Sequence, residues 1–166
     1  MSTRKIGVLV MSYGTPESMD RIEAYYTHIR RGVPPSPEQL AKLKARYEAI
    51  VGGFFPLREN TNRQVYELER TLNRLHPDRS FRCYQGLKHA PPFIEDGVRQ
   101  MAEDGVRDAV GVVLAPHYSA MSVGGYIGRA REAAAPLGLN IRFVKSYHLH
   151  PKLIRAWSER VERALS

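Results

Sequence analysis

"KIGVLVMSYGTP" runs from Lys5 to Pro16. Its apolar run, Ile6 to Met11, reads as a buried strand, and Tyr13, Gly14 and Pro16 read as the loop that ends it. Three more stretches repeat this character: "FRCYQG" from Phe81, "AVGVVLAP" from Ala109 and "NIRFVKSY" from Asn140. Helical patterns lie between them. "SPEQLAKLKARYEAI" opens with Ser36 as N-cap, Pro37 at the first helical position and Gln39 closing a capping box. Its Leu40, Leu43, Tyr47 and Ile50 recur at helical spacing. "TNRQVYELERTLNRL" puts Val65, Leu68, Leu72 and Leu75 on one stripe, and "PPFIEDGVRQMAEDG" ends at a C-terminal glycine, Gly105. "SVGGYIGRAREAAAPLG" and "PKLIRAWSERVERAL" complete the set. Strands alternating with helices predict right-handed βαβ units around a parallel sheet, an α/β fold. The insertion between the first two strands, residues 16–79, has room for three helices. The last helix, with Leu153, Ile154, Trp157, Val161 and Leu165, is expected to close the sheet.

Composition bounds the class. The 166 residues suffice for one domain, with 43% hydrophobic and 25% charged residues. A six-residue apolar run is too short to span a bilayer, and no small-residue cleavage site follows it, so neither a membrane span nor a signal peptide is expected. A lone cysteine, Cys83, cannot form an internal disulfide, and a cytoplasmic location is expected. The net charge of +8 points to anionic partners. The basic residues are spread over helices beside glutamates rather than gathered in a run. No helix-turn-helix, RRM or zinc pattern supports nucleic-acid binding, and no nucleic-acid partner is expected.

In parallel α/β folds ligands bind beyond the carboxyl ends of the strands. Here those segments are "SYGTP", "GLKHAPP", "LAPHYSAMS" and "SYHLHP", each with a histidine or tyrosine. GxGxxG, P-loop and GxSxG signatures are absent. Tyr13 follows the first strand directly and reads either as a rigidly held wall residue or as a packed tyrosine with a wet hydroxyl. His117 reads as metal ligand, proton acceptor or packed histidine. His28 falls mid-helix in the reading, and His148 and His150 lead into the last helix. Arg30 and Arg31 sit near a helix end, Arg46 and Tyr47 in the next helix, and Lys88 and His89 after the second strand. Cations converging on this edge suit carboxylates, and tyrosines suit a flat apolar ring. The combination suggests a planar ligand with carboxylate arms.

The motifs "MSYGTP", "YYTHIRRG", "LKARYEAI", "GLKHAPPFIEDGV" and "VLAPHYSAMSV" resemble, in this order and spacing, bacterial ferrochelatases of the coproporphyrin group. The resemblance runs from Lys5 to the last helix. It implies a Rossmann-like chelatase half-domain over residues 1–166, with a four-stranded parallel sheet, equivalent to the first half of a full-length enzyme. It also implies insertion of ferrous iron, as substrate, into coproporphyrin III or protoporphyrin during haem biosynthesis, with no further cofactor. Carried over residue by residue, Tyr13 matches the position axial to the porphyrin-bound metal. Arg30 matches a porphyrin-contacting arginine, Arg46 and Tyr47 the following "RY" pair, and Tyr126 the tyrosine after the "LAPH" motif. Lys88, His89, Ser119 and Ser122 fall in segments lining the family's cleft mouth.

Two departures stand out. Where the family reads "GGxSPL" this chain reads "VGGFFPL", so Phe55 replaces a porphyrin-contacting serine and one hydrophobic residue is added near Val51. The family's metal-inserting histidine and its glutamate partner lie in a second half that nothing here matches, which leaves His117 as a speculative substitute. Three hypotheses follow: half of a ferrochelatase completed by a second half-domain, a homodimeric half-chelatase for another metal or tetrapyrrole, or a porphyrin- or haem-binding module without turnover.

Overall fold

A computed structural model describes residues 5–51 and 55–166, with no account of the side chains of Ile50 and Val51. The extra hydrophobic residue expected near Val51 lies outside the described residues. The four strands are β1 (Lys5–Ser12), β2 (Ser80–Leu87), β3 (Asp108–Val113) and β4 (Asn140–Val144). All pair in parallel, in the order β2-β1-β3-β4. β1 runs opposite β2 from Lys5↔Ser80 to Ser12↔Leu87. The order reverses around β1, so the chain leaves β1 toward one edge and returns to β3 on its other side. The crevice outside the carboxyl ends of β1 and β3 is the place such sheets offer to a ligand.

Three helices fill the first connection: α1 (Ile22–Ile29), α2 (Pro37–Val51) and α3 (Pro56–Leu75). α2 begins as its sequence predicts. Ser36 N–H donates to Gln39 Oε1 at 3.1 Å, and Gln39 N–H donates to Ser36 Oγ at 3.2 Å. α3 lies along β2, and two of its polar side chains bond the β2 backbone. Asn73 accepts from Phe81 N–H and donates to its carbonyl, at 2.9 and 2.8 Å, and Glu69 accepts from Cys83 N–H at 2.6 Å. An edge strand is thereby closed to further pairing by side chains acting as a neighbour.

The remaining connections are α4 (Ile94–Glu103) and α5 (Gly125–Ala134), the latter preceded by a π-helical turn at Ala120–Gly124. α4 ends in a Schellman motif, with Gly105 at φ 75° and Val106 N–H donating to Met101 O at 3.0 Å. Both helices pack on one face of the sheet. Leu9 and Met11 meet Ile94, Val98, Met101, Val123, Ile127 and Ala130 in one buried cluster. A Cβ at Gly97 would lie 2.5 Å from Gln85 O, so only glycine lets α4 approach β2 this closely.

The last helix, α6 (Pro151–Leu165), corrects an expectation. It does not close the sheet. None of its residues is buried, and Ile154, Trp157, Val161 and Leu165 remain exposed, Leu165 at 84%. An apolar stripe at helical spacing states that a face is to be covered, not which surface covers it. Trp157 reaches back, toward His117 beyond the carboxyl end of β3.

Candidate functional site

Backbone pairing continues past β1 and β2. Lys88 N–H donates to Ser12 O at 2.9 Å and His89 N–H to Tyr13 O at 3.0 Å. The two loops therefore leave the sheet side by side. Gly14, at φ 87° with Ala90 and Leu87 against it, turns the first loop under the second. The result is a row of rings. Tyr13 and His89 lie with centroids 4.6 Å apart, His89 and His28 at 5.2 Å, and His28 stacks on Phe93 at 5.0 Å. His28 and His89 face each other through their Nδ1 atoms at 3.1 Å. His28 belongs to the last turn of α1 rather than its middle. Burial, then the positive groups at His28, Lys88 and Arg129, lowers the His89 pKa to about 4, so this ring is neutral at neutral pH.

On the other side of Tyr13, the Lys88 ammonium sits 5.1 Å from the centroid of the Tyr126 ring. The loop carrying Lys88 is pinned from α5. Arg129 holds Glu95 through two bonds of 2.7 and 2.6 Å and donates a third, at 2.8 Å, to the Lys88 carbonyl. The Arg129 hydrogen bonds keep the Glu95 carboxyl below its ordinary value.

Below this row the phenols gather. Tyr25 donates to Gly14 O at 3.1 Å. Tyr47 is hydrogen-bonded with Thr15 and Tyr25, while its pKa is raised by burial. Burial also raises Tyr25, and it pushes Tyr126 up to about 12. These three hydroxyls therefore stay neutral at physiological pH. Phe55 is buried against Tyr47, with ring centroids 5.5 Å apart. Among Tyr13, Tyr25, Tyr47, Phe55 and Tyr126, Tyr13 is the open ring, 46% exposed.

The cations divide. Arg30, at the C-cap of α1, donates to Gln39 Oε1 at 2.7 Å and lies 5.8 Å from the Tyr26 ring centroid. Arg46 is exposed and makes no side-chain hydrogen bond or ion pair with a described residue. A cavity of about 1040 Å³ opens between α1 and the β2 loop, lined among others by Asp20, Glu23, His28, Arg31, Lys88 and His89.

Not every sequence-predicted residue joins this row. His117 lies beyond the carboxyl end of β3, but its ring stacks with His148 at 5.3 Å and with Trp157 at 6.3 Å. His148 Nδ1 is held by Ser146 Oγ at 2.5 Å, and Ser146 in turn donates to Pro116 O. Ser119 caps the π-helical turn by accepting from Ser122 N–H at 3.1 Å, with both serines exposed. Sequence reasoning did not single out Tyr25, Thr15, Phe93 or the Arg129–Glu95 clamp. Tyr25 had a signal, an aromatic pair one helix beyond a ligand-edge loop. The clamp had none. Among the described residues no three histidine, cysteine or carboxylate side chains converge to hold a metal ion. No helix of the described residues is long and apolar enough to cross a membrane.

The family model for ferrochelatase matches residues 5–166. The chain belongs to the ferrochelatase family. It is 51% identical over 163 residues to the coproporphyrin III ferrochelatase of Bacillus subtilis, covering 98% of this chain and 52% of that protein. It is 50% identical over 163 residues to the enzyme of the same name from Anoxybacillus flavithermus, covering 98% and 51%. To that from Staphylococcus aureus it is 49% identical over 164 residues, covering 99% and 53%. The chain thus spans about half the length of these relatives. The all-parallel sheet flanked by helices is the Rossmann-like architecture expected of a ferrochelatase half.

Proposed function

We propose that this chain is the first half of a coproporphyrin ferrochelatase of haem biosynthesis and supplies one wall of the porphyrin cleft. The observation that carries the reading is the rim at the carboxyl end of the sheet. An open tyrosine lies flanked by Lys88 and His89, with Arg30 and Arg46 on the adjoining helices. Tyr13 stands against the macrocycle, on the axis of the metal. Arg30 grips one carboxylate arm, with Gln39 fixing its guanidinium so that few rotamers are lost on binding. Arg46 and Lys88 meet further arms. Ser119 and Ser122 present hydroxyls at the cleft mouth, and Tyr47, Tyr126 and Phe55 back the wall from below. His89 supports Tyr13 edgewise.

Metal insertion removes two pyrrole protons and requires a bent macrocycle, so anchoring energy at the carboxylate arms is spent at the ring. This half supplies anchors and a flat support. Ferrous iron, the second substrate, calls for exchangeable imidazole and carboxylate ligands. The family's residues for that step match nothing here, and His117 is held in its own stack. The open face of α6 supports completion of the cleft by a second half-domain. A homodimer is the other way to cover it, and the solution mass of the chain with and without porphyrin separates the two. A cytoplasmic setting completes the proposal.

The test is a fluorescence titration of the protein with coproporphyrin III and with a porphyrin lacking carboxylate arms. The tetracarboxylate is expected to bind at one per chain. The arm-less ring is expected to bind at least about tenfold more weakly, as the loss of even one charged hydrogen bond implies. Equal binding of the two would reject the anchoring roles.

A further inference from the structure

The row of rings contains one contact that the porphyrin wall does not use. His28 comes from the last turn of α1 and His89 from the loop after β2, 61 positions apart, yet their Nδ1 atoms are 3.1 Å apart. Each ring is held from behind, His28 by stacking on Phe93 and His89 by Tyr13. Two imidazole nitrogens bound to one ion at about 2.0–2.1 Å, at angles between a right angle and the tetrahedral value, stand about 2.8–3.4 Å from each other. We propose that His28 and His89 form a two-imidazole chelate for a divalent transition-metal ion, at a site separate from the metal position inside the porphyrin.

The chemistry of the donors sets the class of ion. Imidazole suits zinc, copper, nickel and iron, with cobalt between iron and nickel in the same affinity order, while magnesium and calcium prefer oxygen ligands. In the metal-free pair one Nδ1–H donates to the other Nδ1. Chelation moves that ring's proton to its Nε2, so both Nδ1 lone pairs face the ion. No third protein donor converges among the described residues, so water completes the coordination from the adjoining cavity. The Asp20 and Glu23 carboxylates line that cavity and offset the charges of Arg31 and Lys88 in the same lining. Of the positive groups near His89, Arg129 is neutralised by Glu95 and Lys88 is turned onto the Tyr126 ring. The site stands on its own geometry and holds whether or not the chain binds porphyrin.

Cobalt(II) alone is the probe. Titration of the intact protein without porphyrin is expected to show one ion per chain by visible absorption. The paramagnetic broadening of histidine ring NMR signals is expected to centre on His28 and His89. His28→Gln and His89→Gln, which keep a polar group of similar size, are each expected to weaken binding at least about tenfold, the least that even supporting groups of a metal ligand cost. His117→Gln is expected to bind as the unaltered protein does. Undiminished cobalt affinity in both the His28 and His89 variants would overturn the proposal. So would broadening centred on His117, His148 or His150 in the unaltered protein, a result that requires no variant to fold.

Discussion

Arg30 and Arg70 both lie at helix surfaces, and their surroundings separate them. Arg30 is held by Gln39 at the rim of the site, whereas Arg70 makes an exposed 3.7 Å pair with Glu67 one turn away. Arg30→Ala should weaken coproporphyrin III binding by about 1.5–3 kcal/mol, the value of a charged hydrogen bond. Arg70→Ala should change it by less than about 0.5 kcal/mol. Fluorescence titration of the two variants decides, and equal affinities would remove Arg30 from the site. Glu95 offers a second test. The Arg129 hydrogen bonds hold its carboxyl below the ordinary value of 4.5, so the unfolded chain takes up that proton at a higher pH than the folded chain does. The pair's stabilisation is therefore complete above pH 4.5 and is lost as pH falls through the folded value. Glu95→Gln should cost about 1–2 kcal/mol at pH 7, toward the low side of charged hydrogen bonds because the pair is partly exposed. The gap from the unaltered protein should shrink in denaturant melts as pH drops below 4.5. A gap independent of pH would mean that the clamp acts by packing alone. Tyr13 and Lys88 were legible in the sequence because a strand end fixes where the next side chain goes. The approach of His28 to His89 was not, since it depends on how α1 docks across an insertion of more than sixty residues.

At the scale of elements, local chemistry was decisive where the chain carries its own signal. The capping box at Ser36 and the glycine stop at Gly105 form as read, because both depend on residues within one turn. The third and fourth strands end earlier than the stretches read as strands, at Val113 and Val144. The residues beyond them are taken by the site edge, where Tyr147 N–H donates to Pro116 O and its hydroxyl to Val113 O. The cover of the β2 edge by α3 was invisible in periodicity, since it rests on polar residues of a helix. Asn73→Ala removes both side-chain bonds to Phe81 and should destabilise the fold by about 1–2 kcal/mol. It should also speed amide exchange at Phe81. Unchanged exchange there would show that the edge needs no side-chain partner.

At the scale of the whole molecule, alternation of strands and helices was enough for the parallel sheet and for Tyr13, Lys88 and His117 to follow the carboxyl ends of its strands. What covers α6 was not legible, because an amphipathic helix specifies a partner surface only by being apolar. The central claim is that this chain offers a porphyrin wall without the residues that insert the metal. One measurement tests it most directly: the visible spectrum of coproporphyrin III under anaerobic conditions, first with added protein and then with ferrous iron, beside a full-length relative. The account predicts that the porphyrin bands shift on binding and that the free-base spectrum persists after iron is added. Bands that ignore the protein, or iron insertion at a rate near that of the full-length relative, would contradict it.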